Sequence, residues 1–372
     1  MKIGIMTFWW SEDNYGQLLQ CYALQKYLHD LGHDVFLIRY RETNTNSFSM
    51  SRLFKVFNPK KFIKYITRKK RFRQSLIEQH TNPRHFEDFR SKYIVQSERI
   101  YNTYEDLNNN PPEADIYIVG SDQVWNFGSP NKTSMNAYFL NFGNKNVKRI
   151  SYAASFGVDS LSISVRHNIK PLLKNFDYVT VRENTGKAIC DKMGIKSEVV
   201  CDPTLLLDKE QWFELKENII PKDKKYVFLY LLTNTCKFSV KKLKDWADSK
   251  HLDLIYVGGN TAYYQSKYDD KGIQKSYLTI RQWLYYLSNA EYIITNSFHC
   301  CVFSFIFSKK VGVVPLQTRT NDRINSLFDN LGAKKTLIQN DDFTNLETAS
   351  ELIINSNINI KQSKTLLQSI IK

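Results

Sequence analysis

Residues 2–40 read KIGIMTFWWSEDNYGQLLQCYALQKYLHDLGHDVFLIRY, and this stretch decides the fold class. KIGIMTF is an apolar strand. NYGQLLQCYALQKYLHDLG places Leu18, Cys21, Tyr22, Leu28 and Leu31 at helical spacing and closes on Gly32, a natural C-cap. HDVFLIRY is a second strand. Strand, helix and strand in that order make the βαβ opening of a Rossmann-type parallel sheet. The turn after the first strand has no GxGxxG, so a dinucleotide is not indicated.

The same alternation continues outward. ADIYIVGSDQVWN and KRISYAASFG each read as a short strand running into a loop of small residues. A helix near 161–175, the strand YVTVRE, the helix TGKAICDKMG and the segment SEVVCDPTLLL follow. In the second half KYVFLYLL, VKKLKDWADSK, LDLIYVGG, IRQWLYYLSNA, EYIITN, SFHCCVFSFIFSKK and VGVVPL again alternate strand and helix. The pattern predicts an α/β protein of two Rossmann-like domains whose parallel sheets face a central cleft. Residues 1–207 form the N-terminal domain, with a basic helical insertion near 50–95. Residues 208–345 form the C-terminal domain, and 346–372 are helical and pack near the hinge, which falls around 203–222 between Pro203 and Pro221.

A chain of 372 residues with 42% hydrophobic and 24% charged residues has room for two cores. It contains no apolar run of 18 residues, and its N-terminus lacks a secretion signal. Six cysteines without CxxC spacing suggest reduced thiols and a cytoplasmic protein. No metal cluster is visible, and no metal or cofactor is expected. The net charge of +15 is concentrated in RLFKVFNPKKFIKYITRKKRFR (52–73), which holds ten Lys or Arg and no acid. This segment is a solvated basic helix, a helix lying on anionic lipid at the inner face of the membrane, or a nucleic-acid contact. The last is disfavoured because no recognition motif accompanies it.

In parallel sheets, ligands collect beyond the carboxyl ends of the strands. The residues there are Thr7–Gln17, Gly120–Asn126, Ala153–Gly157, Arg182–Asn184, Asn296–His299 and Gln317–Arg323. Asn296 or Ser297 is the N-cap of the last buried helix, which puts His299 in its first turn. Unpaired N–H groups and a positive dipole end favour anions there. His299 is either a capping or core histidine or part of a site. Tyr292 to Asn321 contains no acid, whereas Lys309, Lys310, Arg319 and then Arg323 are present, which suits a small anion better than a ribose. Arg182 is either in a salt bridge with Glu183 or another neighbour, or clamps a carboxylate or phosphate. Asp122 is a helix N-cap or an acid/base facing the cleft, and Asp202 before Pro203 reads as a turn-stabilising Asx residue. In NYGQ (14–17) the glycine allows close backbone approach, and Tyr15 and Gln17 can hydrogen-bond a sugar.

Taken in order, DNYGQLLQCYALQKYL, DIYIVGSDQVWN, SYAASFG, VTVRE, VCDPTLLL and ITNSFHCCVFSFIF…GVV resemble the polysaccharide pyruvyl transferase family over roughly residues 3 to 330. The resemblance implies a GT-B-like two-domain fold. It implies transfer of the enolpyruvyl group of phosphoenolpyruvate to two hydroxyls of a sugar, with ketal formation and phosphate release. The acceptor would be a saccharide precursor, lipid-linked in some settings. By position, His299 matches the family's histidine at the start of a C-domain helix and Arg182 its arginine after an N-domain strand. His299 is then the phosphate-binding group or general acid and Asp122 the acceptor-side base, with Arg182, Asn296, Ser297, Arg319 and Arg323 as donor-binding residues. Asn14, Tyr15, Gln17, Ser121, Trp125 and Asn126 would hold the acceptor. One departure stands out: many members have Arg-x-His where this chain has Ser297-Phe298-His299. Two rival readings are a glycosyltransferase using a nucleotide sugar and a non-catalytic glycan-binding relative.

Overall fold

The computed structural model describes residues 1–42, 73, 77, 80–126, 132–217, 219, 224–232, 238–258, 272–316, 322–354 and 358–372. All but the last residue of the basic segment 52–73 lies outside the described residues, as do Arg319 and Cys236.

The first sheet contains β1 (Lys2–Met6), β2 (Asp34–Tyr40), β3 (Gln96–Tyr101), β4 (Ile116–Val119) and β5 (Lys148–Ser151), in the order β3-β2-β1-β4-β5. All of its pairs are parallel, and Met6 is in register with Val119 and Val119 with Ser151. A short pair, β6 (Thr180–Val181) and β7 (Glu198–Val199), extends it through the bridges Ile150–Tyr178 and Ala154–Val181. The second sheet orders β8 (Tyr226–Leu231), β9 (Asp253–Gly258), β10 (Tyr292–Thr295), β11 (Lys310–Val313) and β12 (Thr336–Leu337) as β12-β11-β10-β8-β9, also parallel. The α/β architecture with two parallel sheets agrees with the alternation read from sequence. β3 was not expected there. Its QSERIY is an edge strand with only Ser97 and Tyr101 buried, so it carries no apolar signature.

The helix Tyr15–Asp30 is buried on nearly every side, which explains why its apolar and polar residues do not segregate. Its glutamines stay inside because each has a partner. Gln20 Nε2 donates to Thr7 Oγ1 at 2.9 Å, and Gln25 exchanges hydrogen bonds with the backbone of Val95 at 2.8 and 3.1 Å. The helix start meets the second sheet. The Tyr15 ring stacks on Trp283 with centroids 5.1 Å apart and packs edge-on against Tyr230 and Phe86, while its hydroxyl donates to the Leu278 carbonyl at 2.7 Å. One core cluster therefore runs from Ile3 and Leu18 through Trp283 and Phe303, joining the two halves. Among the described residues no helix is long and apolar enough to cross a membrane.

Gly16 lies at the tightest point of this junction. A Cβ built there would come within 2.2 Å of His299 Nδ1 and 2.3 Å of its Cγ. The atoms in the way are ring atoms of a buried side chain, so the clash has no easy relief. Gly16→Ala is expected to cost about 1–3 kcal/mol, read as a lower urea midpoint than wild type. An unchanged midpoint would mean that His299 does not press on this helix.

Candidate active site

His299 sits in the first turn of the helix Phe298–Ile306, all nine residues of which are buried. Ser297 is its N-cap, with Oγ accepting from the Cys300 N–H at 3.4 Å. Thr295 steadies the entry by accepting from the Ser297 N–H at 3.0 Å and donating to the Tyr230 carbonyl at 2.6 Å. Ser297 thus does for the helix end what an arginine at this position could not. The first turn contains no acid.

The imidazole points out of this helix toward the first half of the chain, where Nε2 lies 3.5 Å from Asp202 Oδ2. That distance is within ion-pair range but longer than a well-formed hydrogen bond. Asp202 sits at the carboxyl end of β7 and has two jobs. Oδ1 accepts from the Thr204 N–H at 3.0 Å and the Thr204 hydroxyl at 2.7 Å, which is the turn-stabilising role expected of it. Oδ2 accepts from Ser121 Oγ at 2.9 Å and Arg182 Nη1 at 3.0 Å and also faces His299. Burial alone would push this carboxyl up. The interactions with His299, then with Arg182, outweigh burial and hold it well below the usual carboxylate range.

Arg182 follows β6, and its side chain is 1% exposed. Burial works against its charge, but Asp202, then Glu183 and Asp122, outweigh that and raise its pKa. Of the two sequence readings of Arg182, the structure displays the ion pair, and the main partner is Asp202 rather than Glu183. Glu183 Oε2 is 3.7 Å from Arg182 Nε, while Oε1 accepts from Ser155 Oγ at 2.6 Å. The ring of Phe298 covers the guanidinium at 4.2 Å. Within this cluster Arg182 Nε and Nη2, Glu183 Oε2 and His299 Nε2 are buried without a hydrogen-bond partner. A cavity of about 410 Å³ adjoins the cluster, lined among others by Arg182, Asp202, Phe298, Leu327 and Gln362.

The remaining sequence candidates fall into two groups. Tyr15, Gln17, Ser121 and Trp125, expected to hold the acceptor, are buried and engaged with other protein groups. Gln17 Oε1 accepts from the Ser11 N–H at 2.7 Å, Ser121 belongs to the Asp202 cluster, and Trp125 Nε1 donates to the Tyr138 carbonyl at 3.1 Å with its ring stacked on Phe139. Asn14 and Asn126 remain partly exposed. Asn14 is the N-cap of its helix but makes no side-chain cap bond, and Asn126 lies beside the Gln123 amide. Asn296 Oδ1 accepts from the Leu232 N–H at 2.8 Å, which pins the end of β8. Asp122 is no helix cap. Its φ of 81° lies in the left-handed region, and its Oδ1 accepts from the Gln123 N–H at 2.8 Å. Arg323, in the first turn of the helix Asp322–Asn330, reaches back to the β4 loop. With the Gln123 amide turned to face it, the oxygen accepts from Nη1 at 2.7 Å and Nη2 at 3.1 Å. Beside it, Thr185 Oγ1 donates to Asp322 Oδ2 at 2.7 Å.

Asp202 and Glu183 are the residues that sequence reasoning left out of the site. Their only signal is position, since both stand at strand ends where cleft residues gather. Among the described residues no three metal-ligating side chains come together.

Several solved structures share this architecture. A UDP-GlcNAc 2-epimerase from Methanocaldococcus jannaschii superposes with a TM-score of 0.53 at 14% identity, covering 100% of this chain and 99% of that one. The UDP-N-acetylglucosamine 2-epimerase from Rickettsia bellii gives 0.55 at 11% identity, covering 100% and 96%. The S. aureus MnaA–UDP co-structure gives 0.51 at 13%, covering 93% and 86%. At such identities the likeness establishes the fold, a GT-B arrangement, and nothing about substrate. The search of curated proteins finds no match. The family model for polysaccharide pyruvyl transferase matches residues 14–317, from the N-cap of the first helix to just past β11, and so includes Arg182, Asp202 and His299. The chain belongs to the polysaccharide pyruvyl transferase family and is a transferase.

Proposed function

We propose that this transferase takes the enolpyruvyl group from phosphoenolpyruvate, joins it to two hydroxyls of one sugar as a ketal, and releases phosphate. The observation that carries the reading is the set of unsatisfied donors around Asp202. Arg182 Nε and Nη2 form the side-on edge of a guanidinium, which accepts a carboxylate or phosphate in bidentate fashion. His299 Nε2 lies on the other side of the same carboxylate, in the first turn of a helix without acids. A donor bearing both a carboxylate and a phosphate has the charges to complete such a set, and the adjoining cavity of about 410 Å³ is of ligand size.

The chemistry runs in three steps. The methylene carbon of the donor takes a proton from His299, which leaves an oxocarbenium-like centre at C2. A sugar hydroxyl adds to C2, with Asp122 as the base that receives its proton. A second hydroxyl then displaces phosphate, returns its proton to His299 and closes the ketal. Asp202 orients His299 and balances Arg182. A ribose-holding carboxylate is missing from the His299 helix, which weighs against a nucleotide sugar. The acceptor is a polysaccharide precursor. The ten basic residues and absent acids of 52–73 fit a lipid-linked form at an anionic surface.

His299→Ala should lower phosphate release from phosphoenolpyruvate by about 10²-fold or more, measured with a panel of saccharide acceptors. Unchanged turnover would remove His299 from the mechanism. For Asp202, the depressed native pKa gives stability that is present above the unfolded value of about 3.9 and is lost as pH falls below it. The thermal stability gap between wild type and Asp202→Asn should therefore be wide at neutral pH and narrow below about pH 4; a gap independent of pH would show that charge pairing is not its source. Phosphatidylglycerol vesicles should bind the wild-type chain in co-sedimentation and lose it when the Lys and Arg of 60–73 are neutralised. Retained binding would place the membrane contact elsewhere.

A further inference from the structure

The last helix, Ile358–Ile371, lies beyond the residues 14–317 that the family match covers, yet it forms one wall of the cavity of about 410 Å³ beside Arg182. Asn359, Gln362, Ser363 and Leu366 line the cavity from this helix. A C-terminal helix could rest on the surface loosely, but this one is tied to both halves of the chain. In the first half, Ser363, 3% exposed, accepts from the Cys201 N–H at 2.9 Å, one residue before Asp202. Gln368 Nε2 donates to the Tyr27 hydroxyl at 3.1 Å, and Leu367, Ile370 and Ile371 are buried in the shared core. In the second half, Asn359 Nδ2 donates to the Asn330 carbonyl at the end of the helix Asp322–Asn330. The helix therefore holds Gln362 in a fixed place opposite the charged cluster.

Among the described residues that line the cavity, Arg182 is the only cation. Asp202 is already met by Arg182 and His299, and the other acid, Glu198, stands exposed at the start of β7, four residues before Asp202. A ligand with two anionic groups can place one of them on the free edge of Arg182, formed by Nε and Nη2. The second must be met by neutral N–H donors, because a buried anionic group without partners is costly. On the helix wall, Asn359 Nδ2 is engaged by the Asn330 carbonyl and the Ser363 hydroxyl by the Asn359 carbonyl at 2.7 Å. Gln362 is exposed, and its amide hydrogen-bonds no group among the described residues. An amide carries two N–H donors and no charge, so it meets an anionic oxygen without repelling the guanidinium. We infer that Gln362 is a donor-binding residue, its amide N–H groups receiving one anionic group of the donor while Arg182 Nε and Nη2 receive the other. The inference rests on reading this cavity as the place of a phosphoenolpyruvate donor, and it makes the last helix part of that site.

Titration calorimetry of the full chain with phosphoenolpyruvate, and separately with UDP-N-acetylglucosamine, tests it. Gln362→Ala should weaken phosphoenolpyruvate binding about tenfold. Gln362→Glu, which sets a carboxylate against the anion, should weaken it about a hundredfold. Because Gln362 is exposed, both variants should unfold at the wild-type urea midpoint, which ties the loss to the cavity. A midpoint lowered together with the affinity would make Gln362 a packing residue and overturn the inference. Wild-type affinity for phosphoenolpyruvate in both variants also overturns it, and leaves the donor reading standing. Binding of UDP-N-acetylglucosamine but not of phosphoenolpyruvate by the wild-type chain sinks the donor reading. Gln362 then keeps its place as an anion-binding residue if Gln362→Glu abolishes that binding, and loses it if the variant binds as wild type does. A wild-type chain that binds neither probe overturns both.

Discussion

A buried carboxylate is tolerated only when its charge is met, and Asp202 is met from both halves of the protein at once. Ser121 and Arg182 approach it from the ends of β4 and β6, and His299 approaches from the helix after β10. Its second oxygen is occupied by Thr204, which sets the turn leading out of the first half. Removing the carboxylate would strand a guanidinium that is 1% exposed beneath the Phe298 ring. The position of His299, the pairing of Arg182 and the close contact with Gly16 all depend on this one group.

Around that ionic centre the junction is apolar and tightly packed. Tyr15, Tyr230, Trp283 and Phe303 interlock across it, and Asp322 and Arg323 tie the second half back to Thr185 and Gln123. The two sheets therefore do not flank an open trough along their whole length. Near His299 the space is closed by Gly16, and a cavity of about 410 Å³ opens beside Arg182, Asp202 and Phe298.

The legible parts of the sequence were those in which local pattern and burial agree. β1, the first helix and β2 combine an apolar run, a helical period and a glycine C-cap, and all three form where expected. The same holds for β10 and the helix carrying His299, whose cap was narrowed to Asn296 or Ser297 and falls on Ser297. β3 escaped notice because an edge strand needs few buried residues. Tyr15, opening its helix, and Trp125, in a turn, were read as acceptor-binding because an aromatic past a strand end has the same local sequence whether it faces a ligand or another element. Only the partners, Trp283 in one case and Phe139 in the other, distinguish the two.

By itself the sequence determined the alternation of strand and helix, hence two parallel sheets, and the placement of polar loops at the strands' carboxyl ends. Periodicity and capping are short-range properties and are written in neighbouring residues. The tertiary structure alone decided which side chains of those loops meet. Asp202 faces His299, Arg182 turns to Asp202 more closely than to adjacent Glu183, and Gly16 is small because an imidazole lies against it. Charge compensation in a buried site depends on distances between residues far apart in the chain, and local pattern does not encode those distances.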